Sequence, residues 1–155
     1  FAKAAKMIDD PRLAFVIAGG ESKFREGNLL FIPKVPRSQI LSYYSLCDIL
    51  VLPRPSHPAT EIAAPTKFAE YAAMGKPILT TNVGDAADLV RKYKCGMVVE
   101  NNTSERLVEG ITQFKENSKA ELEAMGRRSR DLAEKEFDWN KVAVRLEKAI
   151  IEAAK

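Results

Sequence analysis

The chain has 155 residues, 46% of them hydrophobic, with 24 Lys plus Arg against 21 Asp plus Glu and a formal net charge of +3. That length fits one domain able to bury roughly 70% of its unfolded surface, and the hydrophobic share excludes a disordered chain. Eight Gly and eight Pro exclude collagen-like sequence, no apolar run nears the roughly 18–20 residues of a membrane span, and the charge lacks the Lys/Arg block of a nucleic-acid binder.

The chain opens inside a helix, with apolar residues at 1, 4, 5 and 8, stopped by Asp9-Asp10-Pro11. Leu13 to Ala18 is a continuous apolar run before Gly19-Gly20, the pattern of a strand buried on both faces. Asn28 to Ile32 is a second strand, closed by Pro33, and Ser38 to Ser45 a short helix. Asp48 to Leu52 is a third strand, followed by a proline-rich loop from Arg54 to Ala64. Pro65 to Met74 reads as a helix with Gly75 just past its end. Pro77 to Thr81 is a fourth strand, Ala86 to Lys94 a helix, and Met97 to Val99 a short fifth strand. Helices follow at about 103–116, 119–135 and 139–153, the first two opened by Asn102 with Glu105 and by the capping box Ser118 with Glu121.

Strands that are apolar on both faces and alternate with helices imply an α/β fold. The expected form is a Rossmann-like, doubly wound parallel sheet of about five strands, with helices on both faces and extra helices at the C-terminal end. Residues 1–155 read as one domain, without repeat or linker. Cys47 and Cys95 are too isolated for a CxxC pair or a zinc site, and His57 stands alone, so no metal cluster is expected. Two reduced cysteines suit a cytoplasmic protein. GxGxxG, P-loop and GxSxG motifs do not occur.

Such a sheet binds ligands beyond the carboxyl ends of its strands. The loop running into Pro65-Thr66-Lys67-Phe68 is the strongest candidate there. Pro65 suits a first helical turn. The free first-turn amides form an anion site, to which Thr66 adds a hydroxyl. Lys67 is a cation where the helix dipole disfavours one, by about 0.3–1 kcal/mol, and a bound phosphate reverses that sign. A solvated surface Lys67, with or without a pair to Glu70, explains the same residues, and the fragment leaves both readings open. Glu70 is a carboxylate on an otherwise apolar helix and needs donors, which ribose hydroxyls could supply. Glu61, in the preceding loop, could accept from sugar hydroxyls or be a solvated charge.

The stretch Pro65-Thr66-Lys67-Phe68-Ala69-Glu70-Tyr71-Ala72-Ala73-Met74-Gly75-Lys76-Pro77-Ile78 resembles the P-x-K-x-x-E-Y-x-A-x-G-K-P-[IV] signature of the group 1 (family 4) glycosyltransferases. Leu46-Cys47-Asp48-Ile49-Leu50-Val51-Leu52-Pro53 resembles the family's "a-D-v-f-v-l-P" strand, and Phe137-Asp138-Trp139 its "f-s-W" tail. The resemblance covers the whole chain as the C-terminal, donor-binding domain of a GT-B enzyme. It implies binding of a nucleotide-diphosphate sugar and retaining transfer of the sugar to an acceptor hydroxyl, with no cofactor or essential metal.

Under the resemblance Pro33, Lys34 and Val35 read the base. Pro65, Thr66, Lys67 and Phe68 hold the diphosphate, and Glu70 holds the ribose. Lys67 and Glu61 are the catalytic candidates, with Glu61 at the donor sugar. The spacing from Glu61 to Glu70 is E-x8-E, one residue longer than the family's usual E-x7-E. The family's first strand, its Arg/Lys clamp and its N-terminal acceptor domain are expected to lie upstream of Phe1, so the fragment alone is expected to be inactive. The acceptor, a carbohydrate or a lipid-linked one, would meet that upstream domain, as would any peripheral contact with a membrane. The alternatives are a non-catalytic nucleotide-sugar binding or regulatory domain, or another GT-B enzyme such as a sugar-nucleotide epimerase.

Overall fold

The computed structural model describes residues 1–64 and 66–154. Pro65, part of the expected anion site, lies outside the described residues. In chain order the elements are α1 (Ala2–Met7), β1 (Phe15–Gly20), β2 (Phe24–Glu26), β3 (Leu29–Pro33), α2 (Arg37–Leu46), β4 (Leu50–Leu52) and α3 (Pro58–Ile62). There follow α4 (Thr66–Ala73), β5 (Ile78–Thr81), α5 (Gly84–Tyr93), β6 (Gly96–Val99), α6 (Ser104–Glu116), α7 (Lys119–Glu136) and α8 (Trp139–Ala153).

β4, β5 and β6 form a wholly parallel sheet in that order, with Leu50 opposite Ile78 and Leu79 opposite Met97. Successive side chains of a strand point to opposite faces, and here both faces are covered. Leu50, Leu52 and Ile78 join a core with Tyr44 of α2, Phe68 and Tyr71 of α4, Val90 of α5 and Leu132 of α7. Leu79 and Val99 join a second core with Ala4 and Ala5 of α1 and Leu107, Ile111 and Phe114 of α6. Helices on both faces of a parallel sheet are the doubly wound arrangement expected.

Six strands stand in two three-stranded sheets among the described residues, where one sheet of about five was expected. In the other sheet β1 pairs parallel to β3, and β2 pairs antiparallel to β3. The unforeseen β2 is the first arm of a hairpin. Gly27, with φ of +59°, and Asn28 form its two-residue loop, the short turn that favours residues tolerant of positive φ. β1 also departs from its expected two-sided burial. Phe15 is buried beside α1 and α6, whereas Ala14, Val16 and Ala18 on the opposite face are exposed.

α3 replaces part of the expected loop. Pro58 takes the first helical position, where its missing N–H costs nothing, and His57 Nδ1 accepts the Ala59 N–H at 3.1 Å. α6 is capped by Thr103, which accepts the Arg106 N–H at 3.2 Å, rather than by Asn102. The Ser118–Glu121 capping box of α7 is present as read. α7 packs on α4 closely enough that a Cβ on Gly126 would overlap the Gly75 carbonyl. Arg130 donates to the Ala73 carbonyl at 2.9 Å, satisfying a group left open at the end of α4. α8 is held differently. Lys141 and Arg145 donate to the Glu134 and Glu136 carbonyls at 2.7 and 2.9 Å, while Trp139, Leu146 and Ile150 remain exposed.

Candidate functional site

The loop leaving β4 is tied to the end of β5. The Thr81 hydroxyl donates to the Arg54 carbonyl at 2.7 Å and accepts the Arg54 N–H at 2.9 Å. Arg54 Nη2 donates to the Ala63 carbonyl at 3.0 Å, while its Nη1 is buried without a hydrogen-bond partner among the described residues. This frame sets the approach to α4. The helix is amphipathic: Phe68, Tyr71 and Ala72 are buried, and Thr66 and Lys67 are exposed.

Lys67 forms no ion pair or side-chain hydrogen bond among the described residues. The Glu70 carboxylate turns elsewhere. It accepts from the Tyr44 hydroxyl at 3.5 Å and stands 3.9 Å from Arg37 Nη2. The Lys67–Glu70 pair is therefore not formed, and Lys67 is an exposed cation on the first turn of α4. Glu70 is 29% exposed, half-buried on a helix whose Phe68, Tyr71 and Ala72 supply core. Burial first, and then the neighbouring Glu70 charge, push the Tyr44 phenol above its ordinary value, so Tyr44 stays a neutral donor.

Pro33 ends β3, Lys34, Val35 and Pro36 follow it, and Arg37 begins α2. The Lys34 N–H donates to the Gly20 carbonyl at 3.1 Å, so the loops after β1 and β3 are joined. The Arg37–Glu70 contact joins the start of α2 to α4, while among the described residues Pro33, Lys34 and Val35 make no such contact. A cavity of about 510 Å³ opens between α4, the end of α7 and the start of α8, lined by Arg37, Thr66, Glu70, Arg130 and Trp139 among others but not by Pro33, Lys34 or Val35. Trp139, 82% exposed, stands at its wall.

The predicted residues thus separate into two groups. Thr66 and Glu70 share the cavity, and Lys67 is beside them on the first turn of α4. Phe68 places its ring in the core, 5.9 Å from that of Phe137 and edge-on to it, so only its amide remains for a ligand. Glu61 stands apart, on α3, with its carboxylate accepting the Gly84 N–H at 2.9 Å and the Ser56 hydroxyl at 3.0 Å. Arg37, Tyr44 and Arg130 were not singled out from the sequence, and Trp139 stood out only as part of the tail motif, not as a site residue. Arg37 carried a usable signal, since it too is a cation in a first helical turn. Among the described residues no group of three or more His, Cys, Asp or Glu could hold a metal ion, and no helix is long and apolar enough to cross a membrane.

A family profile described as "Glycosyl transferases group 1" matches residues 1–132. TuaC of Bacillus subtilis (strain 168), a glycosyltransferase assigned to teichuronic acid biosynthesis, is 27% identical over 107 residues, 68% of this chain and 26% of its own. A glycosyltransferase of Rickettsia africae superposes on 99% of this chain with a TM-score of 0.76 at 18% identity, using 43% of its own length. Sucrose-phosphate synthase of Thermosynechococcus elongatus gives 0.73 at 18% identity over 98% of this chain and 42% of its own. The C-terminal domain of the group 1 protein LpcC of Francisella tularensis gives 0.59 at 17% identity over 74% of this chain and 56% of its own. The chain therefore spans about a quarter of its curated relative and under half of the two fuller structural matches. The three structures establish the α/β, GT-B type of fold, and the profile covers most of the sequence: the chain belongs to the group 1 glycosyltransferases, and its fold is that of their C-terminal domain.

Proposed function

We propose that this domain binds the nucleotide-diphosphate sugar donor of a retaining glycosyltransferase, with the diphosphate at the first turn of α4. The observation that carries the reading is the division of charge on α4. Glu70 is engaged by Tyr44 and Arg37, and among the described residues Lys67 has no carboxylate partner at this helix N-terminus. Amides and an ammonium gathered there suit the charge that develops on a leaving diphosphate. Thr66 adds a hydroxyl. Glu70, on the wall of the cavity, accepts from the ribose hydroxyls, and the loop Pro33-Lys34-Val35 reads the base.

In this reading the sugar passes to a hydroxyl of a carbohydrate or lipid-linked acceptor held by the rest of the full-length protein. Departure of the nucleoside diphosphate is the step that this domain assists. No side chain here need carry the sugar. The test is turnover of the full-length protein with UDP-, GDP- and ADP-sugars, followed by proton NMR of the product. Release of one nucleoside diphosphate and an unchanged anomeric configuration are expected. An inverted product, or turnover indifferent to Lys67→Ala, overturns the reading.

A further inference from the structure

Glu61 and Gly84 lie on different elements, α3 and the start of α5, 23 residues apart in sequence. Glu61 is exposed, and both oxygens of its carboxylate accept hydrogen bonds from the protein. Oε2 accepts the Gly84 N–H at 2.9 Å, and Oε1 accepts the Ser56 hydroxyl at 3.0 Å. A carboxylate is favoured there by the open amides and the dipole of α5. The backbones also touch. Gly84 has φ of +59°, and a Cβ on it would stand 2.6 Å from the Glu61 carbonyl oxygen, so only glycine fits both the conformation and the approach.

The same loop is fastened at three further points. The Thr60 hydroxyl accepts the His57 N–H at 3.1 Å and lies 2.6 Å from the Pro55 carbonyl oxygen. Arg54 Nη2 reaches the Ala63 carbonyl, and the Arg54 backbone is clasped by Thr81. Ala63 is three residues before Thr66, the first residue of α4.

We propose that Glu61 is a positioning residue. Its carboxylate latches the segment from Ser56 to Ala63 onto the first amide of α5, and the latch sets the placement of Thr66 and Lys67 against the donor. The proposal rests on the donor-site reading and deepens it, while assigning Glu61 a role other than contact with the donor sugar. A latched loop presents the anion site already formed, so ordering is not left to the moment of binding. Positioning of this kind is worth much to a reaction, since a misplacement of about 1 Å can cost about 10²-fold.

The experiment compares Glu61→Ala, Glu61→Gln and Gly84→Ala in the full-length protein by two readouts. One is hydrogen exchange at the Gly84 amide without ligand. The other is kcat and KM for the donor. In Glu61→Ala the Gly84 amide should exchange at least about tenfold faster, and kcat/KM should fall toward about 10²-fold. Glu61→Gln keeps a carbonyl oxygen for the Gly84 N–H and should stay within about threefold of wild type in both. Gly84→Ala forces the loop off α5 without touching the donor and should reproduce the kinetic loss. The proposal is overturned if Gly84 exchange is unchanged in Glu61→Ala, or if Glu61→Gln loses as much activity as Glu61→Ala. The exchange readout needs no nucleotide, so the latch is tested even if Lys67 proves irrelevant to donor binding.

Discussion

In the sheet β4–β5–β6 every residue of β5 from Ile78 to Thr81 is buried, whereas in the sheet β1–β3–β2 one face of β1 is open and Val16 is 40% exposed. β1 is the more apolar of the two in sequence, FVIA before its glycines against ILTT in β5. Their surroundings differ: β5 lies between α4, α5 and α7 on one side and α1 and α6 on the other. The candidate site grows from the doubly covered sheet. Thr81, at the carboxyl end of β5, clasps Arg54, and the loop so fixed runs on toward α4. Rigidity below thus supports a polar constellation above, which is what a site that must hold a charged ligand requires.

Core truncations sharpen the contrast most strongly. Leu79→Ala should cost about 2–5 kcal/mol, because the cavity it leaves is enclosed on all sides. Val16→Ala on the open face should cost under about 1 kcal/mol, since little area is lost from contact. Denaturant titration of the two variants checks this, and equal losses would mean that the face of β1 is covered in solution. At the site, Lys67→Ala in the full-length protein should lower turnover by about 10²–10³-fold, with thermal stability close to wild type because the residue is exposed. Glu70→Gln should weaken nucleotide binding by about 10-fold to 100-fold while folding normally. An unfolded Glu70→Gln variant would instead make the Tyr44–Glu70–Arg37 contacts structural.

The smallest effect concerns how the last helix is fastened. Glu136 accepts from the Tyr93 hydroxyl at 2.7 Å, from Lys92 at 3.2 Å and from Arg145 of α8 at 3.2 Å. These partners, Tyr93 foremost, hold its carboxyl down at about 2, against an ordinary 4.5. A group depressed on folding stabilises fully above its unfolded value and loses that contribution as pH falls through its folded one. The Tm difference between wild type and Glu136→Gln should therefore be steady above about pH 5 and close between about pH 4.5 and 2. A difference independent of pH would show that the charge of Glu136 contributes nothing.

Much of this was legible in the residues. The apolar run at 49–52, and Ile78-Leu79 followed by the β-branched Thr80-Thr81, announced buried parallel strands, and Gly75, Ser118 and Glu121 marked helix ends by their own chemistry. The hairpin β2–β3 was overlooked although Gly27-Asn28 is a two-residue turn signal, because Phe24-Arg25-Glu26 is short and exposed. α3 was overlooked because three prolines masked its start, yet Pro58 is its first residue. At the site, Lys67 and Glu70 stood out as charges that their helix disfavours. Arg37, Tyr44 and Trp139 could not be joined to them, since their proximity comes from packing between distant elements. Which partner Glu70 takes is likewise decided by Tyr44, 26 residues away.

The claim that the first turn of α4 holds a diphosphate is tested most directly by calorimetric titration of the full-length protein. A nucleoside, its monophosphate and its diphosphate would be compared in wild type and Lys67→Ala. The diphosphate should bind at least about tenfold more tightly than the nucleoside, a gain of about 1.4 kcal/mol, and that gain should vanish in Lys67→Ala while nucleoside affinity persists. An equal gain in both proteins would place the phosphates elsewhere and contradict the account.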